Sequence, residues 1–127
     1  MKLLLDSTVL IDVLRGSSPA IRFLEDAVVS EDELWSVSVV RTEVLTGMRK
    51  REETATRRLL NVVEWLPVDI ELADAAGQLA RTWIKSHPGV DTVDYLLAAA
   101  AQALRARLCT SNIRHFPMIK GLTTPYR

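Results

Sequence analysis

The sequence has a single cysteine, Cys109. One thiol cannot close an internal disulfide, which excludes a disulfide-stapled scaffold and agrees with a reducing cytoplasm. Cys109 stands in an apolar context, Ala106-Arg107-Leu108-Cys109-Thr110. A nucleophilic role needs a base and an activated thiolate, so the expectation is a small buried strand residue. Glycine and proline number five each among 127 residues and nowhere gather into a linker or a low-complexity tract, so one domain over residues 1–127 is expected. Long apolar runs are also lacking. The stretch from Tyr95 to Ala101 is too short to cross a bilayer. The opening run before Asp6 is too short for a secretory signal and is followed by a further acid, Asp12. A soluble cytoplasmic protein with no membrane association is expected. Neither sign of charge is in excess, with 16 basic and 16 acidic residues, so net charge offers no argument for nucleic-acid binding. There is no Gly-rich phosphate loop and no Gly-x-Ser-x-Gly elbow. The two histidines, His87 in a Pro-Gly turn and His115 beside Phe116-Pro117, lack any spaced partner and are expected to be structural or exposed.

What is present alternates strand and helix. Lys2 to Asp6 forms the first strand, and an amphipathic helix follows to Arg15-Gly16, where Gly suits a C-terminal cap. Ser18-Pro19 starts a second helix with Ile21, Leu24 and Val28 on its apolar face. Leu34 to Val39 alternates as a strand, Trp35, Val37 and Val39 on one side and Ser36 and Ser38 on the other. A short helix from Val40 to Met48 carries Glu43, and a charged one from Glu52 to Asn61 turns Ala55, Leu59 and Leu60 inward. A third strand lies within Val62 to Val68, a long helix over Asp69 to Lys85, and an Ala-rich helix over Asp91 to Arg105. Arg107 to Thr110 is a fourth strand and Leu122 to Thr124 a short fifth. The order implies an α/β fold with a mostly parallel sheet of four to five strands and helices on both faces. Right-handed crossovers put all strand carboxyl ends on one edge, where ligands bind.

Acids fall at that edge. Asp6 ends the first strand, Glu43 lies one turn into the helix after the second, and Asp91 and Asp94 open the Ala-rich helix on one face. Taken singly each has a bland explanation. Glu43 fits a solvated helical residue paired to Arg41 or Arg49, and Asp91 fits a helix cap. Taken together, several carboxylates in one pocket require protonation or a cation. Hard oxygen donors with no His/Cys cluster suit Mg2+, with Mn2+ as the alternative, over Zn2+.

Four segments carry a family resemblance. Leu3-Leu4-Leu5-Asp6-Ser7-Thr8-Val9-Leu10-Ile11-Asp12 resembles the opening of PIN-domain ribonucleases. Ser38-Val39-Val40-Arg41-Thr42-Glu43-Val44-Leu45-Thr46-Gly47 resembles their second motif, and Asp94-Tyr95-Leu96-Leu97-Ala98-Ala99-Ala100-Ala101 their third. Cys109-Thr110-Ser111-Asn112 with His115-Phe116 resembles their fourth. The size and the stretch from Phe116-Pro117-Met118 to Pro125-Tyr126 look most like the VapC toxins of bacterial toxin–antitoxin pairs. The resemblance implies a single PIN-like domain and an Mg2+-dependent endoribonuclease that inhibits translation by cutting tRNA or rRNA. It places Asp6, Glu43 and Asp94 at the metal, with Thr8 and Asn112 supporting; Asp91, one turn before Asp94, is either a helix cap or a substitute ligand for the charge that position 112 lacks. Asn112 stands where many relatives carry Asp. Hydrolysis would leave 5′-phosphate and 3′-hydroxyl ends. The implied partners are a VapB-type antitoxin, RNA and a second copy in a homodimer, with Arg41, Arg49 and Arg51 as candidates for RNA phosphates.

Other readings fit less well. A haloacid-dehalogenase phosphatase wants Asp-x-Asp after its first strand, but position 8 is Thr. A receiver domain wants paired acids there and a Lys after its last strand, and neither is present. A non-catalytic PIN-like module that only binds a partner remains as the alternative, supported by Asn112.

Overall fold

In the computed structural model, which describes residues 1–127, the first strand β1 (Lys2–Leu5) lies inside the sheet. Leu3, Leu4 and Leu5 are all buried. Successive strand side chains point to opposite faces, so this run means that both faces of β1 are covered. β1 pairs in parallel with β2 (Glu33–Val37) on one side and with β4 (Arg107–Cys109) on the other. β3 (Glu64–Leu66) extends the sheet from β2, also in parallel, giving the order β3-β2-β1-β4. All four strands therefore end at one edge.

Six α-helices cover this sheet: α1 (Ser7–Leu14), α2 (Ser18–Val29), α3 (Ser38–Thr46), α4 (Glu53–Asn61), α5 (Ile70–Trp83) and α6 (Thr92–Leu104). The Ala-rich α6 is the central one. Tyr95 through Ala101 are buried without a break, as expected of a helix packed on all sides. It lies over β1, β2 and β4 with α5 against it, while α1 packs on α2, α3 and α4. Gly16, at φ +81°, follows the last turn of α1 in the left-handed conformation a C-terminal cap needs. Pro19 occupies the first turn of α2, whose N-cap is Ser17.

Three expectations are corrected. Leu122–Thr124 forms no strand, so the sheet has four strands and β4 is an edge. β2 ends at Val37, so Ser38 and Val39 open α3 and do not extend the strand; Ser36, on the face opposite Val37, is equally buried and its hydroxyl donates to the Leu5 carbonyl at 2.6 Å. Helix positions shift in the same way. α2 buries Ala20 and Ala27 and leaves Val28 59% exposed, since small side chains allow closer packing. α4 buries Thr56 in place of Ala55. Cys109 is fully buried as expected, and burial raises its thiol to about 11, which keeps it unreactive at neutral pH.

Candidate active site

The carboxyl edge gathers the acids because helices start there. Asp6 caps α1: one carboxylate oxygen accepts the Ser7 N–H at 2.7 Å, and the Asp6 N–H continues the ladder to the Cys109 carbonyl. The other oxygen accepts the Thr110 hydroxyl at 2.7 Å, in a fully buried contact across 104 positions of sequence. Thr110 Oγ1 in turn accepts the Asn112 N–H at 3.0 Å. Thr8 is more loosely placed, 3.5 Å from the same Asp6 oxygen, and it accepts the Ser111 N–H at 3.3 Å. Thr8 and Thr110 thus tie the β4 loop to the start of α1.

Asp91 and Asp94 form a reciprocal cap on α6. Asp91 Oδ1 accepts the Asp94 N–H at 3.0 Å, and Asp94 Oδ2 accepts the Asp91 N–H at 3.1 Å. Asp91 is exposed and Asp94 is buried. The same Asp94 oxygen meets His115 Nδ1 at 3.1 Å. Burial pushes Asp94 up from 3.8 to about 6. The Asp91 backbone bond opposes this, the Asp91 charge reinforces it, and His115 draws the value back.

Glu43 projects from α3 and makes no ion pair with Arg41 or Arg49; the two ion pairs of the molecule involve Met1 with Asp32 and His115 with Asp94. Its carboxyl is raised first by burial, then by the charge of Asp6 and less by that of Asp91, with the Ser7 hydroxyl as a partial offset. Repulsion therefore links Glu43 to both Asp6 and Asp91, acids from three elements along the same edge. The basic residues are elsewhere engaged or free. Arg41 lies over the Trp65 ring of β3 at 5.3 Å, and Arg49 and Arg51 are exposed around the 3-10 turn Lys50–Glu52.

Two residues that matter here were not legible as site residues. His115 has an acid partner, Asp94, that lies 21 positions away and meets it only through the fold. Thr110 gave a faint signal as a hydroxyl at a strand's carboxyl end.

The donor set is all hard oxygen, and its carboxyls are raised by burial first and by neighbouring acids second, both of which a cation would offset. The chemistry fits a divalent ion such as Mg2+. The side chains have not closed into a preformed cage: no three His, Cys, Asp or Glu groups stand in ion-holding geometry.

The PIN domain family model matches residues 3–121. The chain belongs to the PIN-domain family. This PIN domain is 40% identical over 123 residues to ribonuclease VapC19 of Mycobacterium tuberculosis, covering 97% of this chain and 98% of that one. Its fold matches a toxin–antitoxin complex from Klebsiella pneumoniae with a TM-score of 0.75 and 25% identity over 98% of each chain. It also matches VapBC2 from Rickettsia felis, solved with a promoter DNA fragment, with a TM-score of 0.79 and 21% identity over 98% and 97% of the two chains. No helix of this PIN domain is long and apolar enough to cross a membrane.

Proposed function

We propose that this PIN domain is the ribonuclease toxin of a type II toxin–antitoxin pair, an Mg2+-dependent endoribonuclease that halts translation by cutting tRNA or rRNA. What supports this reading is the run of acids along the carboxyl edge, Glu43 repelled by Asp6 and Asp91, and Asp94 bonded to Asp91, with Glu43 and Asp94 held above ordinary carboxyl values. The likeness to a ribonuclease over nearly the whole chain supports it. So does the likeness to a toxin–antitoxin complex, which favours a VapB-type partner. A homodimer with C2 symmetry is part of the same proposal.

Asp6, Glu43 and Asp94 would hold the ion, with Asp91 alongside. A bound divalent cation would polarise the scissile phosphodiester and lower the pKa of an attacking water. The protein's own groups do the rest. Thr110 and the Ser7 N–H fix both oxygens of Asp6. The Asp91 N–H and His115 orient Asp94. Buried placement of Asp6 and Asp94 keeps bulk water from screening them. Arg41, Arg49 and Arg51 would meet RNA phosphates outside the carboxylates. Cleavage would leave 5′-phosphate and 3′-hydroxyl ends. The antitoxin would lay a helix or extended tail into the acidic groove and place a basic side chain near the acids.

Induced expression of wild type and Asp94→Asn in a bacterial host tests the function. Wild type should arrest growth and Asp94→Asn should not. Equal arrest by both, or by neither, counts against the toxin reading and favours a non-catalytic binding module. Calorimetric titration with Mg2+ tests the site. Binding to wild type that disappears in Asp6→Ala is expected, and binding unchanged by that substitution removes Asp6 from the metal site.

A further inference from the structure

Beside Asp94 lies a pocket of about 440 Å³ between the turn that joins α5 to α6 and the loop that follows β4. Its volume is within the range of small-ligand sites. Two of its eight lining residues are hydrophobic; His87 and Gly89 line one side and Ser111, Asn112, Arg114 and His115 the other. The lining carries cationic and neutral polar groups and no acid, although the pocket abuts the most acidic part of the molecule. His115 belongs to both, with Nδ1 on Asp94 and its ring on the pocket wall.

His87 is held in place for a task the carboxylates do not explain. Its ring packs against Trp83 at 5.5 Å between centroids, and Nδ1 meets the Ser86 hydroxyl at 2.8 Å. This leaves Nε2 without a protein partner. The opposite wall is ordered by the Asn112 N–H on Thr110 and the Ser111 N–H on Thr8. Neither the Asn112 amide nor the Arg114 guanidinium is taken up by an ion pair. One guanidinium amid hydrogen-bonding side chains suits one nucleotide, whose phosphate takes the guanidinium and whose hydroxyls or base edge take imidazole and amide.

We propose that this pocket is the subsite for one nucleotide of single-stranded RNA next to the scissile phosphate, with His87 and Arg114 as its positioning residues. The proposal rests on the ribonuclease reading and deepens it, since it sets which side of Asp94 the RNA strand runs along. It also gives Asn112 a role that needs no charge, as a neutral amide on the pocket wall.

The probe is a short fluorescein-labelled single-stranded RNA of mixed sequence, with binding to the full chain followed by anisotropy in EDTA so that no cleavage occurs. His87→Ala and Arg114→Ala should each weaken binding about tenfold. Arg114→Ala should lower the salt dependence by about one phosphate contact, whereas His87→Ala should leave it unchanged. His87→Gln, which keeps a hydrogen-bonding edge but not the ring on Trp83, should recover part of the loss. In Mg2+, both Ala variants should raise KM several-fold with little change in kcat. Melting curves matching wild type exclude unfolding as the cause. If wild type binds and cleaves RNA while both Ala variants bind as tightly, the subsite is wrong and the ribonuclease reading stands. A wild type that neither binds nor cleaves RNA overturns both.

Discussion

Replacing Asp94 by Asn should make the metal-free protein more stable at neutral pH while removing its response to Mg2+. Asn keeps the side-chain size and the oxygen that caps the Asp91 N–H, and it removes the charge. Asp94 titrates at about 6, up from 3.8, chiefly because burial disfavours its charged form. Between those values the folded chain binds more protons than the unfolded chain. Stability from this group is therefore full below about pH 4 and is lost as the pH rises through 6. The rise from 3.8 to about 6 corresponds to about 3 kcal/mol. Water reaching the mouth of the site beside exposed Asp91 and His115 reduces this to about 1–2 kcal/mol. Urea unfolding in EDTA should show the advantage of Asp94→Asn over wild type growing by that amount between pH 4 and pH 7.5. Mg2+ should then stabilise wild type alone, because an ion that binds only the folded state stabilises it by mass action. A stability difference that stays flat, or that shrinks as the pH rises, would refute the account of Asp94 as a buried and repelled acid.

Thr110→Val deletes the hydroxyl that donates to Asp6 and accepts from the Asn112 N–H; urea unfolding should register a loss of about 1.5–3 kcal/mol, and Thr110→Ser should restore most of it. Ribonuclease activity at fixed Mg2+ should fall as the pH drops through 6, where Asp94 takes up a proton, and higher Mg2+ should move that limb to lower pH; a pH–rate profile with an immovable acid limb would assign it to another group. Tyr126→Phe removes the 2.6 Å bond to Asp12 but keeps the ring against Phe23 at 5.8 Å. It should cost about 1 kcal/mol and speed tryptic cleavage at Lys120, and an unchanged cleavage rate would mean that the tyrosine hydroxyl does not hold the segment.

The order of strands and helices, the parallel sheet, the positions of Asp6, Asp91 and Asp94 at helix starts and that of Glu43 within the helix after β2 were legible in the chain itself. Local pattern decides these. An apolar run of Leu3-Leu4-Leu5 suits a strand covered on both faces, and an acid before a helix caps free N–H groups whatever the rest of the chain does. Which face of a helix packs inward was less legible. Ala27 is preferred to Val28 in α2 because the closeness of its neighbours, a tertiary property, favours the smaller side chain.

The partnerships within the site were decided only by the tertiary structure. Thr110 reaches Asp6 across 104 positions and His115 reaches Asp94 across 21, and no periodicity encodes contacts between elements that far apart. The parallel crossovers bring those strand ends to one edge. Burial there then sets the chemistry, since a carboxyl such as Asp94 that would lose its proton near 3.8 in water keeps it to about 6 when water is excluded and a second acid stands beside it. Sequence supplied the acids; the fold supplied their burial and their nearness to one another.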